Sequence, residues 1–211
     1  MKPIRAFNSI AAPLRGRNID TDQIIPDRFL KMNRQAPGGY GHFLFHDLSH
    51  LNDDCLRDDF VLNSPVFQSA TILVAEQNFG CGSSREGAVY AFVDRGFQAI
   101  IAPSFGDIFF SNCLKNGLLP IQLPEDVVAG LLDNAQRSNA GLSVTIDLEN
   151  QMVAWTVGNG TLENHTFPID PFWRECLLKG VDEIELTQSY MQQVEQFEIK
   201  HFRKNPWLCA Q

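Results

Sequence analysis

The chain has 211 residues, 17 of them basic and 25 acidic for a net charge of −8, with 44% hydrophobic and 20% charged residues. A soluble globular chain of this balance buries roughly 70% of its unfolded surface and needs no disulfide or metal staple. The acidic excess argues against a nucleic-acid surface, which requires a basic face. No apolar run approaches the about 18 residues of a membrane-spanning helix.

The N-terminus, Met-Lys-Pro-Ile-Arg-Ala, lacks the apolar core of a signal peptide. The cysteines, Cys55, Cys81, Cys113, Cys176 and Cys209, are widely spread and form no Cys-x-x-Cys pair or metal-ligand spacing. Reduced thiols and a cytoplasmic location are therefore expected, with no metal held by this chain.

Residues 4–14 read as an opening strand that closes near Pro13. Asp20, Thr21 and Asp22 then precede the apolar pair Ile24-Ile25, and such residues cap helices or make turns. Two neighbouring carboxylates could equally orient a hydroxyl or an arginine. From Lys31 to Ser64 the periodicity is poor and turn residues such as Pro37-Gly38-Gly39 are dense, the signature of a long functional or mobile loop. His42, His46 and His50 stand at i, i+4 and i+8, a spacing that would align them on a helix for metal, but no glutamate accompanies them.

Residues 70–96 organise the rest. Ala70 to Ala75 is a short apolar run, as in a strand buried on both faces. Ala88, Val89, Ala91, Phe92 and Val93 mark one side of a helix, and Gly96 stands where a terminating glycine belongs. Between them lies Gly80-Cys81-Gly82-Ser83-Ser84-Arg85. A glycine-bearing turn into a helix start offers unpaired N–H groups to an anion, and Arg85 can grip a carboxylate with two donors. Neither the phosphate loop nor the dinucleotide fingerprint fits, because Arg85 takes the place of the third glycine. The alternative is an ordinary glycine turn with Ser83 or Ser84 as helix cap. Cys81 reads as a filler beside the turn or as a thiol of lowered pKa.

Strand–helix alternation follows. Phe97 to Ala102 is a strand, a helix capped by Ser104 or Asp107 runs to Gly117, and Leu118 to Leu123 is a strand. Pro124 opens a helix with Val127, Val128, Leu131, Leu132 and Ala135 on one face. Leu142 to Leu148 alternates apolar and polar as a half-buried strand, and Gln151 to Val157 is its hairpin partner. Asn159-Gly160 is the turn before Thr161 to Phe167. Asp170-Pro171 starts a helix that Gly180 ends, and a last helix is expected over Thr187 to Lys204. Residues 1–211 thus read as one domain with a C-terminal helical extension from about residue 168.

Three segments, Asn18 to Pro26, Asn78 to Glu86 and Ile101 to Phe109, resemble the small subunit of 3-isopropylmalate dehydratase, a relative of the swivelling domain of aconitase. Gly180 to Thr187 resembles that family's C-terminal end. The resemblance implies an α/β fold with three β/β/α layers and a stereospecific dehydration–rehydration of a 2-hydroxy dicarboxylate, 2-isopropylmalate to 3-isopropylmalate. It also implies a [4Fe-4S] cluster carried by a separate large subunit. Ser83 would be the base that removes the carbon-bound proton. Ser84 and Arg85 would hold substrate carboxylates, Thr21 and Asp22 would border the site, and Arg34 would supply a second carboxylate contact. The loop near Tyr40 to Leu44 would sense the substrate's side chain. The family continues Arg-Glu-His-Ala-Pro-Trp where this chain has Arg85-Glu86-Gly87-Ala88-Val89-Tyr90. That departure keeps open two alternatives, a paralogue acting on 2-methylmalate or another substituted malate and a carboxylate-binding module without chemistry.

Overall fold

The computed structural model describes residues 1–52, 55–158 and 160–208. The chain opens with β1 (Ala6–Leu14), α1 (Thr21–Ile24), α2 (His46–Ser49), and the short hairpin β2 (His50–Asn52) and β3 (Cys55–Leu56). It continues through β4 (Ile72–Ala75), α3 (Glu86–Arg95), β5 (Ala99–Ala102), α4 (Asp107–Lys115), β6 (Leu119–Gln122) and α5 (Glu125–Arg137). The last third is β7 (Leu142–Asp147), β8 (Met152–Thr156), β9 (Leu162–Thr166), α6 (Pro171–Lys179), α7 (Glu183–Gln188) and α8 (Met191–Lys204).

Seven strands form one mixed sheet in the order β6-β5-β4-β1-β7-β8-β9. β1 pairs in parallel with β4, which pairs with β5 and β5 with β6, the handiwork of the βαβ crossovers through α3 and α4. On its other side β1 runs antiparallel to β7, and β7–β8–β9 is a meander. The two pairings occupy different lengths of β1. Ala6 to Ala11 face β7, whereas Ala11 to Leu14 face β4. Pro13 lies past the end of β7, where its missing N–H breaks no antiparallel ladder bond.

The parallel strands β4 and β5 are buried on both faces, as continuous apolar runs require. On one face Ile72, Val74, Ile101 and Ile121 share a core with Leu131 and Leu132 of α5 and with Val144, Ile146 and Val153 of the meander. Because both halves of the sheet contribute to that one core, the sheet curls, and the β/β/α layering arises from a single continuous sheet. On the other face Leu73, Ala75, Ile100 and Ala102 pack on Ala88, Val89 and Phe92 of α3 and Phe109 and Cys113 of α4.

Expected and observed elements differ at particular points. Pro124 is the cap of α5, one position before its first turn. Neither Ser104 nor Asp107 caps α4; Gly106 does, without a side-chain bond. The last helix is two, because Ser189 turns its hydroxyl back on the Leu186 carbonyl (2.6 Å) and competes with helix continuation. The turn residue Asn159 and Cys209 lie outside the described residues. Residues 31–64 form 3₁₀ turns, α2 and the β2–β3 hairpin. His50 stands in β2, so the three histidines do not share a helix. His42 Nε2 is 3.2 Å from the Pro37 carbonyl, and the rings of His46 and His50 stack at 4.2 Å.

Candidate functional site

The site lies at the carboxyl ends of the parallel strands, where ligands bind in open α/β sheets. Beyond β1, β4 and β5 the chain continues as three adjacent segments that carry the pairing a little further, with isolated parallel bridges Asp20–Cys81 and Phe79–Phe105. Residues 78–83 run between the other two. Asn78 and Phe79 donate their N–H groups to Ser104, and Gly80 donates to the Ile19 carbonyl (2.8 Å). Beneath this loop Phe79 meets Phe92, Phe105 and Phe109 edge-on, at centroid distances of 6.0, 6.4 and 5.6 Å. Gly80 is required twice over. Its φ is +71°, and a Cβ there would stand 2.3 Å from the Phe109 ring.

Above the loop, Ser83, Arg85 and Thr21 line an open cleft of about 230 Å³ with Gly80, Gly106 and the first turn of α4. Two helices therefore begin at this cleft. Neither α3, with Arg85 at its cap, nor α4, with Gly106 at its cap, has a side-chain capping bond. The expectation that Ser83 or Ser84 caps α3 fails: both are exposed, and α3 starts at Glu86. Uncapped N–H groups and the positive ends of two helix dipoles suit a bound carboxylate.

Arg85 is ion-paired with Asp22 and lies 3.7 Å from Asp27. Both contacts are made by Nη1, and among the described residues Nε and Nη2 have no hydrogen-bond or ion-pair partner. Asp22 thus stands against Arg85 and is not itself among the residues lining the cleft. Asp20, its neighbour, caps α1 in a reciprocal box with Gln23, at 2.8 and 3.0 Å. Thr21 is only 2% exposed and donates its hydroxyl to the Ser83 carbonyl (2.9 Å). Cys81 does not have a lowered pKa. Burial and then the Asp20 charge push its thiol up, and its Sγ lies 3.4 Å from the Asn18 carbonyl. It is a filler of the turn.

The structure does not bring Arg34 to this cleft. Its guanidinium takes both carboxylate oxygens of Asp94 in α3, at 3.0 and 2.9 Å, and lies 3.6 Å over the Tyr90 ring. The Tyr40 N–H also reaches Asp94 (2.9 Å), and the Tyr40 hydroxyl holds the Leu30 carbonyl (2.9 Å). Arg34 thus clamps the 30–45 loop onto α3. Replacing Arg34 with alanine is expected to cost about 1–2 kcal/mol, the sum of a partly exposed bidentate pair and a cation–π contact. A lowered Tm and faster amide exchange confined to residues 30–45 would check it.

Three residues that shape the cleft or the 30–45 loop beside it carried no signal in the sequence pattern. One is Asp94, the partner of Arg34 in α3. Leu30 leans so closely on α3 that a Cβ at Gly87 would lie 2.4 Å from its Cδ2. Gly106 reads as a helix cap, yet a Cβ there would lie 2.6 Å from the Gly80 carbonyl oxygen.

This fold and cleft define an α/β domain with an open cleft, lined by hydroxyl and guanidinium groups, at the carboxyl ends of its parallel strands. The profile of the aconitase C-terminal domain matches residues 1–126. The 3-isopropylmalate dehydratase small subunits of Bacillus licheniformis (46% identical, 100% of both chains) and Rhodospirillum centenum (45%, 98% of both) are similar along the whole length. A crystal structure of 3-isopropylmalate dehydratase from Methanocaldococcus jannaschii superposes with a TM-score of 0.63 at 26% identity, over 90% of this chain and 99% of that one. The chain belongs to the family of 3-isopropylmalate dehydratase small subunits.

Among the described residues no three His, Cys, Asp or Glu side chains are grouped to hold a metal ion. Cys113 and Cys176 are free and buried, Cys113 in the core beneath α3 and α4 and Cys176 in α6. The described residues offer no group of cysteines that fits an iron–sulfur cluster. No helix among them is long and apolar enough to cross a membrane.

Proposed function

We propose that the chain is the small subunit of a hydro-lyase that interconverts 2-isopropylmalate and 3-isopropylmalate by dehydration and rehydration in leucine biosynthesis. It works in the cytoplasm, where its free cysteines stay reduced, and only with a large subunit that carries the [4Fe-4S] cluster. The observation that carries this reading is the meeting of Ser83 and Arg85 on one open cleft between two uncapped helix starts, in a chain nearly half identical to named small subunits.

Arg85 receives one substrate carboxylate on its free Nε–Nη2 edge, and Ser84 adds a hydroxyl beside it. Ser83 Oγ removes the proton from the carbon that carries no hydroxyl while the hydroxyl of the neighbouring carbon leaves with its bonding pair. On rehydration the proton goes to that neighbouring carbon and hydroxide adds to the first, so the two positions are exchanged. A serine alkoxide is far from its ordinary pKa, so the site must stabilise it. The N–H groups at the start of α3 and the Arg85 guanidinium are the positive groups in place for that. Asp22 and Asp27 hold Arg85 at the cleft edge, and Arg34, paired with the Asp94 carboxylate, fixes the 30–45 loop rather than touching a substrate carboxylate. Nothing in the site favours the 2-methylmalate alternative. The space behind Gly87 is filled by Leu30, so the missing histidine leaves no hole.

The direct test mixes the purified chain with the large subunit and follows hydration of isopropylmaleate and of citraconate (methylmaleate), the dehydration products of the two candidate substrates. Activity that requires both chains and prefers the isopropyl substrate is the expected result. Tight binding of dicarboxylates by the isolated chain, with no activity on mixing, would favour a stand-alone binding module instead.

A further inference from the structure

We propose that Thr21 is a positioning residue for Ser83: its buried hydroxyl latches the exposed loop 81–84 and sets the direction of the Ser83 side chain. The inference rests on the reading of Ser83 as the base. Ser83 and Ser84 are exposed, so packing does not hold them. The loop is also cut off from the regular structure on both sides. Gly80 and Gly82 take φ of +71° and +92°, and α3 does not begin until Glu86. Apart from the Cys81 thiol at the Asn18 carbonyl (3.4 Å), the hydrogen bonds that tie the loop to the rest of the described residues come from one neighbour. The Thr21 N–H donates to the Cys81 carbonyl (3.0 Å), and the Thr21 hydroxyl donates to the Ser83 carbonyl (2.9 Å).

The anchor itself is rigid. Thr21 opens α1, whose start is fixed by the Asp20–Gln23 box, and the Ile25 N–H closes on the Thr21 carbonyl (3.0 Å). Ile24 and Ile25 are fully buried in the core beneath. A hydroxyl has one proton. At Thr21 that proton is committed to a carbonyl that can only accept, so it is not available to a substrate carboxylate, although Thr21 lines the cleft. Gly82 keeps the approach open, because a Cβ there would press to 3.3 Å on the Asp20 Cβ. The result is a direct line from the core through Thr21 to the peptide that carries Ser83.

The test uses the complex with the large subunit and four variants: Thr21→Val, Thr21→Ser, Thr21→Ala and, as reference, Ser83→Ala. Valine keeps the shape and loses the hydroxyl, serine keeps the hydroxyl and loses the methyl, and alanine loses both. The latch predicts that valine and alanine lower kcat by about 10²-fold with KM nearly unchanged, since a misplaced reacting group costs about that much. Serine should keep most of the wild-type kcat. Amide exchange in residues 80–86 should quicken in the valine and alanine variants and not in serine. If serine loses as much as alanine while valine turns over normally, the methyl and not the hydroxyl matters, and the latch is wrong. If the valine variant does not fold, the serine–alanine pair, which differs only in the hydroxyl, decides the matter. Should Ser83→Ala turn over normally, the base reading has failed, and the exchange measurement still decides whether the latch exists. If Ser83→Ala is inactive and Thr21→Val is not impaired, the base reading stands and the latch falls.

Discussion

Ser83→Ala, assembled with the large subunit, is expected to lose kcat by about 10²–10⁴-fold, the usual contribution of a positioned general base. Folding and assembly should be untouched. The side chain is exposed, it does not cap α3, and the loop carbonyl that Thr21 holds survives the change. Substitutions of this kind away from structural contacts stay within about 0.5 kcal/mol of wild-type stability. KM should change little, because Arg85 and the helix starts still bind the carboxylate. A loss in kcat with KM preserved is the mark of an interaction made only in the transition state. Steady-state kinetics of the reconstituted enzyme, with native mass spectrometry to verify assembly, would check it. Near-normal turnover would remove Ser83 from the mechanism.

Gly106→Ala is the second large effect, and it acts by steric force. The Gly106 backbone is ordinary, with φ −64° and ψ 133°, so alanine is not excluded by conformation. It is excluded by space, since the new methyl would stand 2.6 Å from the Gly80 carbonyl oxygen and 3.1 Å from the Cys81 Cα. Those are backbone atoms. The Phe79 ring stack below and the bond from the Gly106 N–H to the Phe79 carbonyl (2.9 Å) prevent them from yielding cheaply. Overpacking of this kind costs about 1–3 kcal/mol, and what yields is the loop that carries Ser83. Both a lower melting temperature and a kcat loss of at least about tenfold are expected. A variant with wild-type Tm and kcat would show that the 78–83 and 104–106 segments do not press on one another in solution.

Much of the parallel half was legible because its signals are local. Ala70 to Ala75 is apolar throughout since β4 is buried on both faces, and Gly96 ends α3 with a φ of +97°. The alternation of Leu142 to Leu148 gave away β7 for the same kind of reason, one face in the core and one in water. What the pattern could not carry was pairing between distant segments. Nothing in the residues of β1 says that it changes neighbours at Ala11, nor that the meander folds onto the α5 core. At the site, the Gly-Cys-Gly-Ser-Ser-Arg run and the Asp-Thr-Asp run were each visible, but the bond between Thr21 and Ser83 spans 62 residues. Arg34 was expected at the substrate from the family resemblance, and nothing local spoke against it, because its partner Asp94 is 60 residues away. A charged residue in a long loop has no sequence mark that distinguishes a clamp from a contact with substrate.

The Asp22 and Asp27 carboxylates around Arg85 have a consequence for selectivity. A bare guanidinium between two helix starts would collect phosphate or sulfate from the surroundings and sit clogged. Here the positive charge is already balanced from one side, so a small inorganic ion gains little by entering. Only a ligand long enough to use the open edge of Arg85 while its remainder is held elsewhere can compete, and a dicarboxylate spanning to a second chain is such a ligand. On the proposed function, the pair of aspartates would favour such a ligand over a small inorganic anion.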